Sequence, residues 1–281
     1  EYVAAVQARA ASVFFVPCPW WHADRAPLPG TLAAFKALLQ THHITALYAN
    51  TVVLYEPLRA ARECSIPVLT HARELAVHDP ELCDALGSDA ATLRTHVLRW
   101  SDRIIANSKC VAAWLDDGRT PIFVVPDSMD TRDFPLTATQ SHHLRVALIS
   151  SNHPKKGLDD FVAVARLLAV SVPWVRCCLI GPENLHTARL KADGDLPPNL
   201  QIAGPASTPL AAHAEVDIVV NLSHVEESFG RTVAEAMAGG RAVVCYRWGA
   251  LPELVNDGET GFTVPLGDIA AVAERITQLV L

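Results

Sequence analysis

The stretch VDIVVNLSHVEESFGRTVAEAMAGGRAVVCY, residues 216–246, reads as strand, loop, helix and strand. Residues 216–222 are a short β-branched apolar run. A polar loop with Glu227 follows, then a helix rich in small residues opening at Gly230 and Arg231, and finally a second apolar run at 241–246. Two short apolar strands joined through a helix are the unit of a parallel sheet. The same alternation recurs along the chain. SVFFV (12–16), ITALYA (44–49), IPVLT (66–70), RIIAN (103–107) and IFVVP (122–126) are strand candidates in the first half. LRVALIS (144–150), VRCCLIG (175–181), LQIAG (200–204) and GFTVP (261–265) complete the set in the second. Segments of helical period such as TLAAFKALLQTH lie between them. The expected architecture is α/β, with two Rossmann-like parallel sheets facing a cleft. The expected domains are 1–130 and 144–281, joined by a polar linker at 131–143 that lacks a clear period.

In open parallel sheets ligands sit beyond the carboxyl ends of the strands, so the segments just after strands carry the most weight. Composition limits what those segments can serve. The chain has 281 residues, half of them hydrophobic, and a formal charge of −7. It is a globular protein without the basic footprint of a phosphate-neutralising nucleic-acid binder. Any anion must be held locally. No apolar run is long enough to span a membrane, and nothing in the sequence calls for a peripheral membrane contact. Glu1 stands where a signal peptide carries positive charge, and the seven cysteines form no C-x-x-C pair. Reduced thiols in a cytoplasmic protein are therefore expected.

Within the opening stretch, Glu227 and Glu235 lie eight positions apart, one before the helix and one on it. The free N–H groups and dipole of a helix starting at Gly230 can hold a pyrophosphate. A carboxylate one turn into that helix can accept hydrogen bonds from a vicinal diol, and one in the preceding loop faces whatever is attached beyond the pyrophosphate. By spacing alone the ordinary alternatives stand beside this reading: Glu227 as an acid at a helix start and Glu235 as a solvated helix charge.

The longer run 226–268, EESFGRTVAEAMAGGRAVVCYRWGALPELVNDGETGFTVPLGD, resembles the donor-site signature of glycosyltransferase family 4, retaining enzymes of the two-domain GT-B fold. HPKKGLDDFVAVARLL (153–168) resembles the family's Lys-Gly loop and helix, and VVPDSMDTRDF (124–134) its interdomain segment. IIANSKCVAAWL (104–115) is similar to the segment just upstream. The resemblance implies a hexose-type sugar moved from a UDP- or GDP-linked donor to a hydroxyl acceptor, with no metal or cofactor. It matches Glu235 to the ribose-binding acid and Glu227 to the acid near donor sugar and pyrophosphate. Phe229 and Gly230 fall in the loop beside the phosphates, and Lys156 on the lysine that pairs with them. His71, after the third strand candidate, matches a histidine that contacts the donor sugar; a satisfied loop histidine is the ordinary alternative. Arg73 and Glu74, close by, read as a local ion pair ahead of an acceptor contact.

Two departures matter. Members often carry an arginine five positions before the lysine, where this chain has Ser151, so Lys155, Arg231 or Arg247 would have to substitute. The family's first strand with its Gly-rich loop, and its last helices, have no counterpart here. Both departures favour an alternative, a truncated or degenerate nucleotide-sugar-binding module or subunit without catalysis. A nicotinamide dehydrogenase is disfavoured, because no G-x-G-x-x-G follows a strand. The histidines lack metal-ligand spacing with acids or cysteines, so no metal site is expected. An uncovered sheet edge near residues 1–40 is expected to self-associate or to take a partner chain. Light scattering and hydrogen exchange check this: a monodisperse monomer with that region protected would mean another element closes the edge.

Overall fold

In the computed structural model, residues 2–136, 144–192, 194 and 196–281 are described. By its contacts the chain divides into two units, Glu1–Ala106 with Trp114–Phe123, and Asn107–Ala113 with Val124–Leu281. Of the connection expected at 131–143, residues Thr131–Asp133 form one 3-10 turn capped by the Asp130 carboxylate, and 137–143 lie outside the described residues.

The first unit is built on a four-stranded sheet in the order β1 (Leu47–Ala49), β2 (Val68–Ala72), β3 (Arg103–Ala106), β4 (Ile122–Val124). The β1–β2 and β2–β3 pairs are parallel. Leu39, Ala49, Leu58, Ala61 and Val68 form a buried cluster between this sheet and the helices Pro29–Thr41 and Glu56–Glu63. The strand expected at 12–16 is absent: residues 12–20 have no regular structure. Phe14 and Phe15 are exposed, with the Phe14 ring against His42, and Pro17 accepts from the Thr31 hydroxyl. SVFFV has β propensity, but Pro17 and Pro19 directly after it lack the N–H groups a ladder needs, and its side chains show no alternation between a buried and a solvated face.

The second unit carries a six-stranded parallel sheet. Its strands in chain order are β5 (Arg145–Ile149), β6 (Arg176–Ile180), β7 (Leu200–Ala203), β8 (Ile218–Asn221), β9 (Ala242–Tyr246) and β10 (Phe262–Val264). In space they run β10-β9-β8-β5-β6-β7. The chain thus starts in the middle, winds outward through β6 and β7, then crosses back to β8 and winds the other way. This is the doubly wound arrangement, whose direction reverses between β5 and β8 and leaves a crevice at their carboxyl ends.

Side-chain alternation along β5 shows why the strands read as unbroken apolar runs. Val146 and Leu148 enter a core with Phe161, Leu168 and Ile276, whereas Ala147 enters a second core with Val233, Ala236 and Leu251. Helices Leu158–Ser171 and Ile269–Val280 contribute to the first core and Arg231–Ala238 to the second, so both faces are dry.

The loop after β5 is pressed onto the loop after β8. Gly157 ends the 3-10 turn Pro154–Lys156 at φ +77°, and a Cβ there would lie 2.0 Å from the Leu222 carbonyl oxygen. Gly157→Ala is expected to cost about 3 kcal/mol or more, combining left-handed strain with a backbone clash. Gly258→Ala is the control, with φ +79° and open space around the added methyl; strain alone gives it about 1 kcal/mol. Urea unfolding of both variants measures the difference, and equal losses would mean that the Leu222 carbonyl moves aside.

Candidate functional site

Four polypeptide segments build the crevice of the second unit. The loop 150–157 leaves β5, 181–184 leaves β6, 222–230 leaves β8 and 247–250 leaves β9. Asn152 holds the first two together. It is fully buried at φ +55°, its side-chain amide donates to the Pro182 carbonyl at 3.2 Å, and its own carbonyl accepts from Asn184 Nδ2 at 2.6 Å. The His224 N–H donates to the Lys155 carbonyl at 2.8 Å, which stitches the β5 loop to the β8 loop.

That stitching brings Lys156 to Glu227. Lys156 Nζ lies 2.6 Å from Glu227 Oε1, and both side chains are mostly shielded from solvent. Two groups separated by 71 positions thus form an ion pair above the switch point of the sheet. The Glu227 backbone is fixed from the other side, where its carbonyl accepts the Ala250 N–H at 2.9 Å. Gly249 sits so close that a Cβ there would lie 2.6 Å from the Glu227 carbonyl oxygen.

Phe229 is buried, and Gly230 adopts φ +91° to turn the chain into the helix Arg231–Ala238. Glu235 lies one turn into it and is only 6% exposed. Its Oε1 accepts from Arg231 Nε at 2.7 Å, and its Oε2 stands 3.5 Å from Nε2 of the buried His213. Burial is the largest single influence on this carboxyl and disfavours its charge. Interactions with His213 and with the Arg231 guanidinium nevertheless outweigh it, so Glu235 titrates below its ordinary value. Arg231 keeps much of its side chain in solvent and also lines a cavity of about 680 Å³ with Asp130, Phe134, Thr208 and Leu210.

The other expected residues are placed as follows. Ser151 is exposed in the β5 loop. Arg247 follows β9, but its guanidinium donates to Thr263 and Asp257 of the neighbouring turn. Arg247 is thereby committed to closing the Asn256–Phe262 turn. His71, in the first unit, lies near the end of β2 with Nδ1 2.5 Å from the Tyr48 hydroxyl. Glu74 accepts from the Thr51 hydroxyl at 2.6 Å and from the Val52 and Arg73 N–H groups, fastening the loop after β1.

Sequence reasoning missed three residues. His213 is flanked by alanines in a stretch without a motif, and Asn152 directly precedes the Lys-Gly loop but carries no signal of its own. Glu253 belongs to the GALPE loop, and its carboxylate caps a helix start by accepting from the Lys109 and Cys110 N–H groups, both at 2.8 Å. Acids at such positions satisfy orphan N–H groups, a signal that requires the partner helix to be known. The sequence also holds one Asp-x-Asp triplet, Asp193-Gly194-Asp195, whose aspartates lie outside the described residues. Among the described residues no helix is long and apolar enough to cross a membrane.

This geometry sits in a chain with known relatives. Residues 143–281 match the family of glycosyl transferases group 1. A phosphatidyl-myo-inositol mannosyltransferase of Mycolicibacterium smegmatis is 29% identical over 159 residues, which cover 54% of this chain and 41% of that protein. A D-inositol 3-phosphate glycosyltransferase of Thermomonospora curvata is 33% identical over 139 residues, 45% of this chain and 32% of that one. The chain therefore spans less than half the length of these curated relatives. Among solved structures, Anabaena Alr3699/HepE in complex with UDP-glucose superposes with a TM-score of 0.75 at 21% identity, over 91% of this chain and 74% of that one. Sucrose-phosphate synthase from Thermosynechococcus elongatus superposes with a TM-score of 0.74 at 20% identity, over 90% and 68%. At such identities the likeness shows the fold, which is that of the GT-B glycosyltransferases.

Because the folded value of Glu235 is depressed below 4.5, its ionised form adds stability above the unfolded value and loses it as pH falls through the folded one. Glu235→Gln is expected to show a shallower loss of stability between about pH 5 and about pH 3 than the parent. Urea midpoints at both pH values check this, and identical acid limbs would mean that the carboxylate gains nothing from its surroundings.

Proposed function

We propose that this chain, whose second unit carries a glycosyltransferase group 1 domain, is a retaining hexosyltransferase of family 4 that takes its sugar from a UDP- or GDP-linked donor. The observation that carries the reading is the Lys156–Glu227 ion pair between the loops after β5 and β8, with Glu235 one turn into the helix that follows the second loop. The structural neighbour that binds UDP-glucose supports a nucleotide-sugar donor.

In this reading the two glutamates bracket the donor. Glu235 accepts hydrogen bonds from the ribose diol, and the N-terminus of helix Arg231–Ala238, entered through Phe229 and Gly230, receives the pyrophosphate. Lys156 is neutralised by Glu227 while the crevice holds no donor. An incoming diphosphate competes for its ammonium, and charge developing on the leaving group is met there. Glu227, released from Lys156, turns to the sugar. No protein nucleophile is required: the acceptor hydroxyl attacks on the face the diphosphate leaves, and the departing phosphate takes its proton. Positioning and charge stabilisation are what the protein supplies. The reaction needs no metal, and the seven free thiols suit a reducing compartment such as the cytoplasm.

A second reading is a donor-binding module or subunit without turnover. Ser151 favours it, because the position that often bears an arginine in this family holds no cation and Arg247 is committed to Asp257 and Thr263.

Incubation with UDP- and GDP-hexoses in the presence of EDTA separates the two. Release of nucleoside diphosphate that depends on Lys156 and Glu227 is expected, and tight binding with no release would favour the module. Lys156→Ala is expected to weaken nucleoside diphosphate far more than nucleoside, with a loss that shrinks as salt rises. Glu235→Gln should cost about 1.5–3 kcal/mol of nucleoside diphosphate binding, roughly tenfold to over a hundredfold. Glu227→Gln should spare the diphosphate and impair the sugar-bearing donor. Calorimetric titration reads all three, and equal weakening of nucleoside and diphosphate by Lys156→Ala would place that lysine away from the phosphates.

A further inference from the structure

His213 is an anomaly. It ends the short helix Pro209–His213, is 2% exposed, and packs edge-to-face against Phe134 with ring centroids 6.1 Å apart. Among the described residues neither of its ring nitrogens has a hydrogen-bond partner. A buried polar group without a partner is destabilising, and an apolar side chain of similar volume would avoid that cost. Facing it is Glu235, whose Oε2 is 3.5 Å from Nε2.

We infer that His213 is a positioning residue that holds the Glu235 carboxylate from behind and shapes it for a vicinal diol. The inference rests on the donor-site reading given above. A carboxylate has about four lone-pair positions, two on each oxygen. Arg231 Nε occupies one on Oε1, and His213 Nε2 addresses one on Oε2. One position then remains on each oxygen, one for each hydroxyl of a diol. Arg231 alone leaves Glu235 free to rotate about its terminal bond, because a single donor fixes only one oxygen. A donor on each oxygen locks the plane. The contact at 3.5 Å closes to a hydrogen bond with a shift of a few tenths of an ångström in either side chain. The arrangement requires a proton on Nε2, in the neutral tautomer or the imidazolium, since only then does the imidazole donate toward Oε2.

The test uses the whole chain and two pairs of probes, UDP with 2′,3′-dideoxy-UDP and GDP with 2′,3′-dideoxy-GDP. In the parent, each natural diphosphate binds more tightly than its dideoxy partner. His213→Phe keeps the packing against Phe134 and removes the donor. It is expected to weaken the natural diphosphate about fivefold to tenfold and leave the dideoxy ligand unchanged. His213→Gln, which restores an N–H at the same reach, should recover most of the loss. Equal weakening of both ligands, or none, would reduce His213 to core packing and overturn the inference. Glu235→Gln in the same assay separates the two levels. If it abolishes discrimination between the paired ligands while His213→Phe does not, the positioning role fails and the site stands. If it leaves discrimination intact, both fail. Independently of any variant, nitrogen-15 NMR of the parent imidazole is expected to report Nε2 protonated, and an Nδ1–H tautomer would overturn the inference.

Discussion

The candidate site depends on how closely the loop after β5 lies on the loop after β8. A parallel sheet wound outward in two directions has no choice about where its crevice falls, because the two strands that leave in opposite senses are neighbours. The fold alone does not bring a lysine 71 positions away onto a glutamate. That requires the backbone of Gly157 against the Leu222 carbonyl and the bond from His224 N–H to Lys155. With the backbones fixed, the Lys156–Glu227 pair follows from side-chain length. An ion pair of this partly shielded kind adds little net stability, since desolvation offsets attraction. Its interest is that both members are held ready for other partners.

Glu235 is held differently. It is buried in the second core's neighbourhood, on a helix whose apolar face meets the sheet, and the charge is tolerated because Arg231 and His213 flank it. Where Lys156 and Glu227 neutralise each other, Glu235 stays ionised through groups that are not its proposed ligand. One end of the crevice thus carries a lysine–glutamate pair, and the other a buried carboxylate paired with Arg231.

The second unit was legible because both faces of its sheet are covered. Runs such as VALI (146–149) and IVV (218–220) are apolar at every position, and each is bounded by polar residues. The helix at 231 and the two glutamates were legible for the same reason, as strand, loop and helix follow in order. SVFFV shows where the signal fails: it has the composition of a strand, but a strand exists only by pairing, and the prolines that follow are a stronger local fact than its propensity. His213 and Asn152 were invisible for another reason. Their meaning lies in atoms supplied by segments far away in the chain, Glu235 for one and residues 182–184 for the other. Arg247 was visible as a cation after a strand, but its commitment to Asp257 and Thr263 depends on a turn whose shape no spacing reveals.

Gly249, whose missing Cβ leaves room for the Glu227 backbone, divides the crevice into parts that can and cannot vary. Its wall is made of main chain in contact with main chain, and a substitution there disturbs the frame before it alters what the frame recognises. Ser151 is exposed, and Arg231 keeps most of its side chain in solvent while its Nε bonds Glu235. Divergence in what such a crevice accepts has an easy route through those positions and a steep one through the glycines. A lineage built on this unit can therefore change its chemistry of recognition while its backbone geometry stays almost still.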